Sequence, residues 1–211
     1  MSFYENRVLP HFLHLACGNT VVDRQRAAVV PQARGRVLEV GMGSGLNIPH
    51  YDPDRVELVW GLEPSEGMRR KARHNVASAQ FEVRWLDLPG EEVPLDDNSV
   101  DTVVLTYTLC TIPDWHRALE QMRRVLKPGG QLLFCEHGTA PDEAVRQWQR
   151  RINPLWRRVA GGCHLNRDIP ELIGHAGFGI QRMETGYLSK VPRFAGFNFW
   201  GVLFPADQAR V

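Results

Sequence analysis

From Arg36 onward, short apolar runs alternate with longer stretches whose apolar residues recur every three or four positions. That alternation predicts strands separated by amphipathic helices. "RVLEV" (36–40) reads as a first strand and "RVELVWGLEP" (55–64) as a second. "SEGMRRKARHNVAS" (65–78) reads as a helix with Ser65 as its N-cap. "FEVRWLD" (81–87) reads as a third strand, with Phe81, Val83 and Trp85 on one face. The nearly all-apolar "SVDTVVLTYTLC" (99–110) predicts a central strand covered on both faces. Pro113-Asp114 opens the helix "DWHRALEQMRRVL", and Pro128-Gly129-Gly130 closes it before a fifth strand, "QLLFCEH" (131–137). Residues 140–178 read as two helices around a Gly161-Gly162-Cys163-His164 turn, followed by two apolar runs, "GIQRMETGYL" and "FNFWGVLF", that form a closing strand pair. Upstream, residues 3–30 read as helical, with Phe3, Val8, Leu9, Phe12, Leu13 and Leu15 near helical spacing. The whole implies right-handed βαβ units and an open, mostly parallel α/β sheet with helices on both faces.

Composition narrows the partners. The 211 residues suit one domain with a sizeable core. A net charge of +1 gives no electrostatic case for nucleic acid or an anionic membrane. Cys17, Cys110, Cys135 and Cys163 are scattered without a C-x-x-C pair, which argues against a disulfide framework or a zinc site, so no metal is expected. No apolar run approaches the roughly 20 residues that span a bilayer. The first residues lack the basic-then-apolar layout of a signal peptide, and a soluble, cytoplasmic protein is the expectation. The oligomeric state is not legible.

The chemistry concentrates in "EVGMGSGLN" (39–47), at the end of the first strand. Ligands of open parallel sheets sit past the strands' carboxyl ends, and Gly41, Gly43 and Gly45 would let backbone approach one there. The loop is not G-x-x-x-x-G-K-[ST], so no triphosphate cradle is present. Its G-x-G-x-G spacing also departs from the G-x-G-x-x-G of dinucleotide sites, and Pro49 leaves a poor helix for a pyrophosphate. Glu63, 20 residues after Gly43, could accept from both hydroxyls of a ribose. Asp87, beside Leu88, could accept from an adenine amino group, and Thr106 to Cys110 could floor the site.

Glu39-Val40-Gly41-x-Gly43-Ser44-Gly45, Glu63-Pro64, Asp87, "DDNSVDTVV" and "RRVLKPGGQLLFCEH" together resemble the class I S-adenosylmethionine (SAM)-dependent methyltransferases over roughly residues 35–137. The resemblance implies SAM as cofactor and a Rossmann-like sheet of seven strands, mostly parallel, with an antiparallel last strand. It places Gly41, Gly43, Ser44, Gly45 and Asn47 near the methionine half, with Glu39 close by. It places Glu63, with Pro64 and Met68, at the ribose, Asp87 and Leu88 at the adenine, and Thr106 near the sulfonium. The expected division is a helical cap (1–34), a SAM-binding core (35–137), a helical insert or lid (138–178) and closing strands (179–211).

"GSGLN" with Tyr51-x-Pro53, "LCT", Glu136-His137, "INPLW", Gly162-Cys163-x-Leu165-x-Arg167 and "WGVLF" further resemble the methyltransferase-like thiol methyltransferases. This implies a small, largely apolar acceptor such as an alkyl thiol; a quinone, a phospholipid or another small molecule is the alternative. Animal members of that branch carry an N-terminal apolar anchor that this chain lacks, leaving peripheral membrane contact by the first helix as the only membrane reading. A thiol reacts as its thiolate, so His137, ending the fifth strand, is expected as base or orienter, and Arg167 as a charge favouring the thiolate. Cys163 reads as a buried structural cysteine, because methyl transfer needs no covalent enzyme intermediate. Trp148, Trp156, Phe194, Phe197 and Phe199 could wall the acceptor pocket. Two other classes remain open on the residues alone: a nicotinamide-dependent oxidoreductase, disfavoured by the glycine spacing and the lack of a Tyr-x-x-x-Lys pair, and a non-catalytic SAM-binding protein.

Overall fold

A computed structural model describes Pro10, His11, His14 and Cys17–Ala206. The apolar stripe expected over Phe3, Val8, Leu9, Phe12, Leu13 and Leu15 lies outside these residues. Helix α1 (Thr20–Val29) begins at Asn19, whose side-chain oxygen accepts from the amides of Val21 and Val22. Seven strands follow: β1 (Gly35–Val40), β2 (Val56–Leu62), β3 (Glu82–Leu86), β4 (Val100–Thr106), β5 (Leu126–His137), β6 (Phe178–Tyr187) and β7 (Phe197–Pro205). Between them lie α2 (Glu66–Ala77), α3 (Trp115–Val125), α4 (Glu143–Val159) and α5 (Ile169–His175). Ser65 and Asp114 cap α2 and α3 through bonds to the amides of Met68 and Arg117.

The strands lie in the order β3-β2-β1-β4-β5-β7-β6. Pairings among β1 to β5 are parallel, whereas β7 runs antiparallel to both β5 and β6. This is the mostly parallel seven-stranded sheet expected, with its direction reversed at the last strand in the chain. Strand order reverses between β1 and β4, and that is where an open sheet leaves a crevice. β4 is apolar on both faces because both are covered: Val103 and Leu105 join one apolar cluster with α3 and α5, while Val104 joins another with Val29, Met42 and Tyr51.

Two boundaries differ from the pattern reading. β4 stops at Thr106 rather than running to Cys110. Tyr107 has φ +53, and the Glu136 carboxylate captures the amides of Thr108 (2.7 Å) and Leu109 (2.9 Å) that a longer strand would have paired. Conversely, β5 starts at Leu126, opposite Val100, so Pro128-Gly129-Gly130 sits within the strand instead of preceding it. Among the described residues no helix is long and apolar enough to cross a membrane.

The insert is fastened to the sheet by a residue that apolar periodicity could not reveal. Gln149 of α4 is fully buried. Its amide nitrogen faces the carbonyls of Gly138 (3.0 Å), Leu165 (2.9 Å) and Phe194 (3.0 Å), and its oxygen accepts from the amide of Ala140 (3.0 Å). One side chain thus ties α4, the segment before α5 and the end of β5 together.

Candidate active site

A cavity of about 440 Å³ opens at the carboxyl ends of β1, β2 and β4. Its lining includes Arg26, Gly41, Gly43, Ser44, Glu63, Pro64, Met68, Thr106 and Tyr107. β1 delivers the glycine turn. Gly43 has φ +57 and borders the cavity, and a Cβ there would lie 3.2 Å from the Met68 methyl group. Gly41 has φ +69, and a Cβ on it would overlap the Thr108 side chain. Both backbones favour glycine, and at Gly41 there is also no room for a Cβ. Gly45 serves packing instead: a Cβ there would meet Ala72 of α2 at 3.3 Å.

Glu63, past the end of β2, is buried, and its two oxygens accept from the amides of Gly43 (3.0 Å) and Ser65 (2.8 Å). It fixes the glycine turn against the start of α2 and borders the cavity. Burial pushes its carboxyl up, and the two amides and the nearby Arg69 oppose that rise. Asp87 lies apart from the cavity, paired to Arg69 at 3.2 Å, and Arg69 also donates to the Glu63 carbonyl. Leu88 packs against the apolar core. Asp87 is thus linked to Glu63 through Arg69, and both Asp87 and Leu88 lie outside the cavity lining.

Behind the glycine turn lies a buried polar network. Glu39 accepts from Asn47 (2.9 Å) and from the Tyr51 hydroxyl (2.8 Å). Asn47 also donates to Thr106 (2.9 Å), and Arg26 donates to both Asn47 (3.0 Å) and Thr106 (2.8 Å). Arg26 is 4% exposed, yet it lines the cavity, and its buried Nε has no partner. It also lies over the Tyr107 ring, 5.3 Å from the centroid. Sequence reading missed Arg26, since an arginine on an amphipathic helix carries no signal that tertiary packing will bury it. Among the described lining residues it is the only cation.

Burial pushes the Glu39 carboxyl up to about 7, despite the bonds from Tyr51 and Asn47. A carboxyl that ionises later in the folded chain than in the unfolded one favours folding at low pH. That contribution is fully present below the ordinary value near 4.5 and is lost as the pH rises through about 7. In denaturant titrations across this window, the protein should lose on the order of 3 kcal/mol that a Glu39→Gln variant does not lose. Parallel pH profiles for the two proteins would contradict the assignment.

Comparison with known proteins gives the family. The methyltransferase-domain family matches residues 38–134. The thiol S-methyltransferase TMT1B of Rattus norvegicus is 35% identical over 151 residues, covering 70% of this chain and 62% of that protein. Residues 38–134 form a methyltransferase domain of the class I, SAM-dependent family. The chain spans about two thirds or less of the length of such relatives. A phosphatidylethanolamine N-methyltransferase of Cereibacter sphaeroides is 36% identical over 118 residues, 54% of this chain and 56% of that one. In fold, the chain is similar to a SAM-dependent methyltransferase of Thermotoga maritima described as a possible histamine N-methyltransferase. That likeness has TM-score 0.64 and 21% identity, over 96% of this chain and 97% of that one.

On the other flank of this methyltransferase domain the insert meets the sheet. Arg167 does not face the cavity: it donates to the carbonyls of Leu109 and, at 2.7 Å, Ile112, so it clamps the loop after β4. His137 points its Nε2 at the Cys163 sulfur, 3.2 Å away, while its Nδ1 is buried without a partner. Cys110 completes that group, and the three ligand atoms all lie within 4.8 Å of one another. Cysteines that look scattered along the chain are therefore neighbours in space. Of the aromatic residues, Trp148 is 60% exposed and cannot wall a pocket, because it sits on the outer face of α4. Trp156 packs on the Cys110–Cys163 cluster and edge-on to Phe194, whereas Phe197 and Phe199 belong to the apolar core.

Proposed function

We propose that this chain transfers the methyl group of SAM to a small, largely apolar acceptor, with an alkyl thiol as the leading candidate. The observation that carries the reading is the cavity. Its volume suits a small-molecule ligand, and its lining pairs a buried guanidinium, Arg26, with a buried carboxylate, Glu63, around glycines that keep side chains out. Arg26, with an unpartnered Nε, suits the carboxylate of the cofactor's amino-acid tail. Gly41, Gly43 and Ser44 border that half, and Asn47, itself held by Glu39, fixes Arg26. Glu63 retains lone pairs for a ribose diol, flanked by Pro64 and Met68. Asp87 and Leu88, outside the lining, take the adenine side only as the family resemblance implies, and Thr106 borders the methyl-bearing sulfur. Bound SAM supplies an already activated methyl group on its sulfonium. What the protein adds is alignment of the acceptor and exclusion of water. His137 belongs to the acceptor side, and Arg167 acts by position, holding the loop that carries Cys110.

The thiol acceptor is supported by the relatives named thiol S-methyltransferases, and the phosphatidylethanolamine N-methyltransferase relative keeps a phospholipid as the second reading. Free Cys17, Cys110, Cys135 and Cys163 support a reducing, cytoplasmic setting. Labelled SAM should pass its methyl group to small alkyl thiols rather than to phenols, quinols or phosphatidylethanolamine vesicles. Methylation of vesicles alone would replace the thiol by the lipid. Fluorescence enhancement of NADH without SAM binding would remove the methyltransferase reading altogether.

A further inference from the structure

The cluster of Cys110, His137 and Cys163 has no part in holding the cofactor, yet three separate segments converge to make it. Cys110 lies in the loop after β4, His137 ends β5, and Cys163 follows α4. Backbone and side-chain contacts hold each in place. Glu136 and Arg167 anchor the amides and carbonyls of the Cys110 loop, and the amide of His164 donates to the Cys110 carbonyl at 2.8 Å. His137 is registered opposite Asn198 of β7. The Cys163 amide donates to Ala160 at 3.2 Å. Both cysteines are buried, Trp156 and Ala160 pack beside them, and the buried Nδ1 of His137 has no protein partner.

We propose that Cys110, His137 and Cys163 form a three-ligand site for zinc. Two thiolates and one imidazole are a donor set suited to this borderline-soft ion, and three protein ligands leave a fourth position open. Tetrahedral bonds of about 2.3 Å to sulfur and about 2.1 Å to nitrogen set ligand atoms roughly 3.5 Å apart. The 3.2 Å from His137 Nε2 to Cys163 Sγ and the 4.8 Å bound on the whole group need only small side-chain adjustments to meet that spacing. The ion would also cross-link the insert, through Cys163, to the sheet.

The site adjoins the cofactor cavity, since Thr111, next to Cys110, and Gly161, two residues before Cys163, both line it. An acceptor thiol in the fourth position would bind as its thiolate, its proton passing to solvent. This last consequence rests on the thiol-acceptor reading; the metal site itself does not.

The test is metal content. Tag-free protein from zinc-supplemented cells, passed through a desalting column, should hold about one zinc per chain by elemental analysis. Cobalt exchanged into it should show thiolate-to-cobalt charge transfer and tetrahedral visible bands. Cys110→Ser, Cys163→Ser and His137→Asn should each lose the ion and those bands, whereas Cys135→Ser, at a buried cysteine outside the cluster, should keep them. Circular dichroism and SAM affinity show whether each variant has folded. Wild-type protein that binds SAM but holds no zinc or cobalt would overturn the site. So would metal-free wild-type protein whose mass is two hydrogens light and whose peptide map joins Cys110 to Cys163, because that pair is then a disulfide instead. Zinc present but no thiol methylated would leave the site standing and remove the thiol acceptor.

Discussion

Gly43→Arg should abolish detectable SAM binding while leaving a folded protein. At φ +57, any L-residue at position 43 costs about 1–2 kcal/mol, and the new Cβ meets only the flexible end of Met68, at 3.2 Å. That strain lowers the melting temperature by about 2–8 °C, at roughly 2–4 °C per kcal/mol for a chain of this size. The larger consequence is steric, because Gly43 borders the cavity and an arginine side chain there occupies the ligand's volume. Glu63→Ala should weaken SAM roughly a hundredfold or more, since it removes the acceptor for the amides of Gly43 and Ser65 as well as the ribose contact. Calorimetry with each variant, alongside a thermal melt, reads both effects. Unchanged SAM affinity in both variants would overturn the site.

The second large effect belongs to Arg26→Leu. As the only cation among the described lining residues, Arg26 should contribute about 3 kcal/mol to holding a carboxylate, roughly a hundredfold in Kd. Its loss also leaves the Asn47 side-chain oxygen without its donor and Thr106 with Asn47 as its remaining donor, so a general disturbance must be separated from a lost charge contact. 5′-Methylthioadenosine, which lacks the amino-acid tail, makes that separation. Its affinity should hardly change in Arg26→Leu, while that of SAM and S-adenosylhomocysteine falls. Equal losses for all three ligands would show that Arg26 only supports the pocket. Arg26→Lys should recover part of the tail's contribution, since a lysine restores the charge without the second donor arm.

Much of the cavity's glycine-rich side can be read from the residues because its logic is local. A strand, a turn that needs glycine and a carboxylate at the next strand's end are each written within a few positions. Sheet order then follows from short right-handed connections. The same locality explains the pattern reading's misses. Tyr107 to Cys110 look like strand because they are apolar, but a buried carboxylate 28 positions from Thr108 takes the amides of Thr108 and Leu109 and ends the strand. Leu126 to Gly130 look like a stop signal because they hold Pro and two Gly, yet Leu126 already pairs with Val100.

What the sequence by itself determined is therefore the alternating α/β architecture and the glycine loop with its carboxylate, from Glu39 through Asn47 to Glu63, at the cavity. Only the tertiary structure buried Arg26 against Thr106, 80 positions away, turned Arg167 onto the carbonyls of Leu109 and Ile112, and left Trp148 in solvent. Only it set Cys110, His137 and Cys163 within 4.8 Å of one another. The reason is physical: local spacing fixes torsions and faces. Which distant side chains share a buried volume depends instead on how strands register and an insert folds back, and no single segment encodes that.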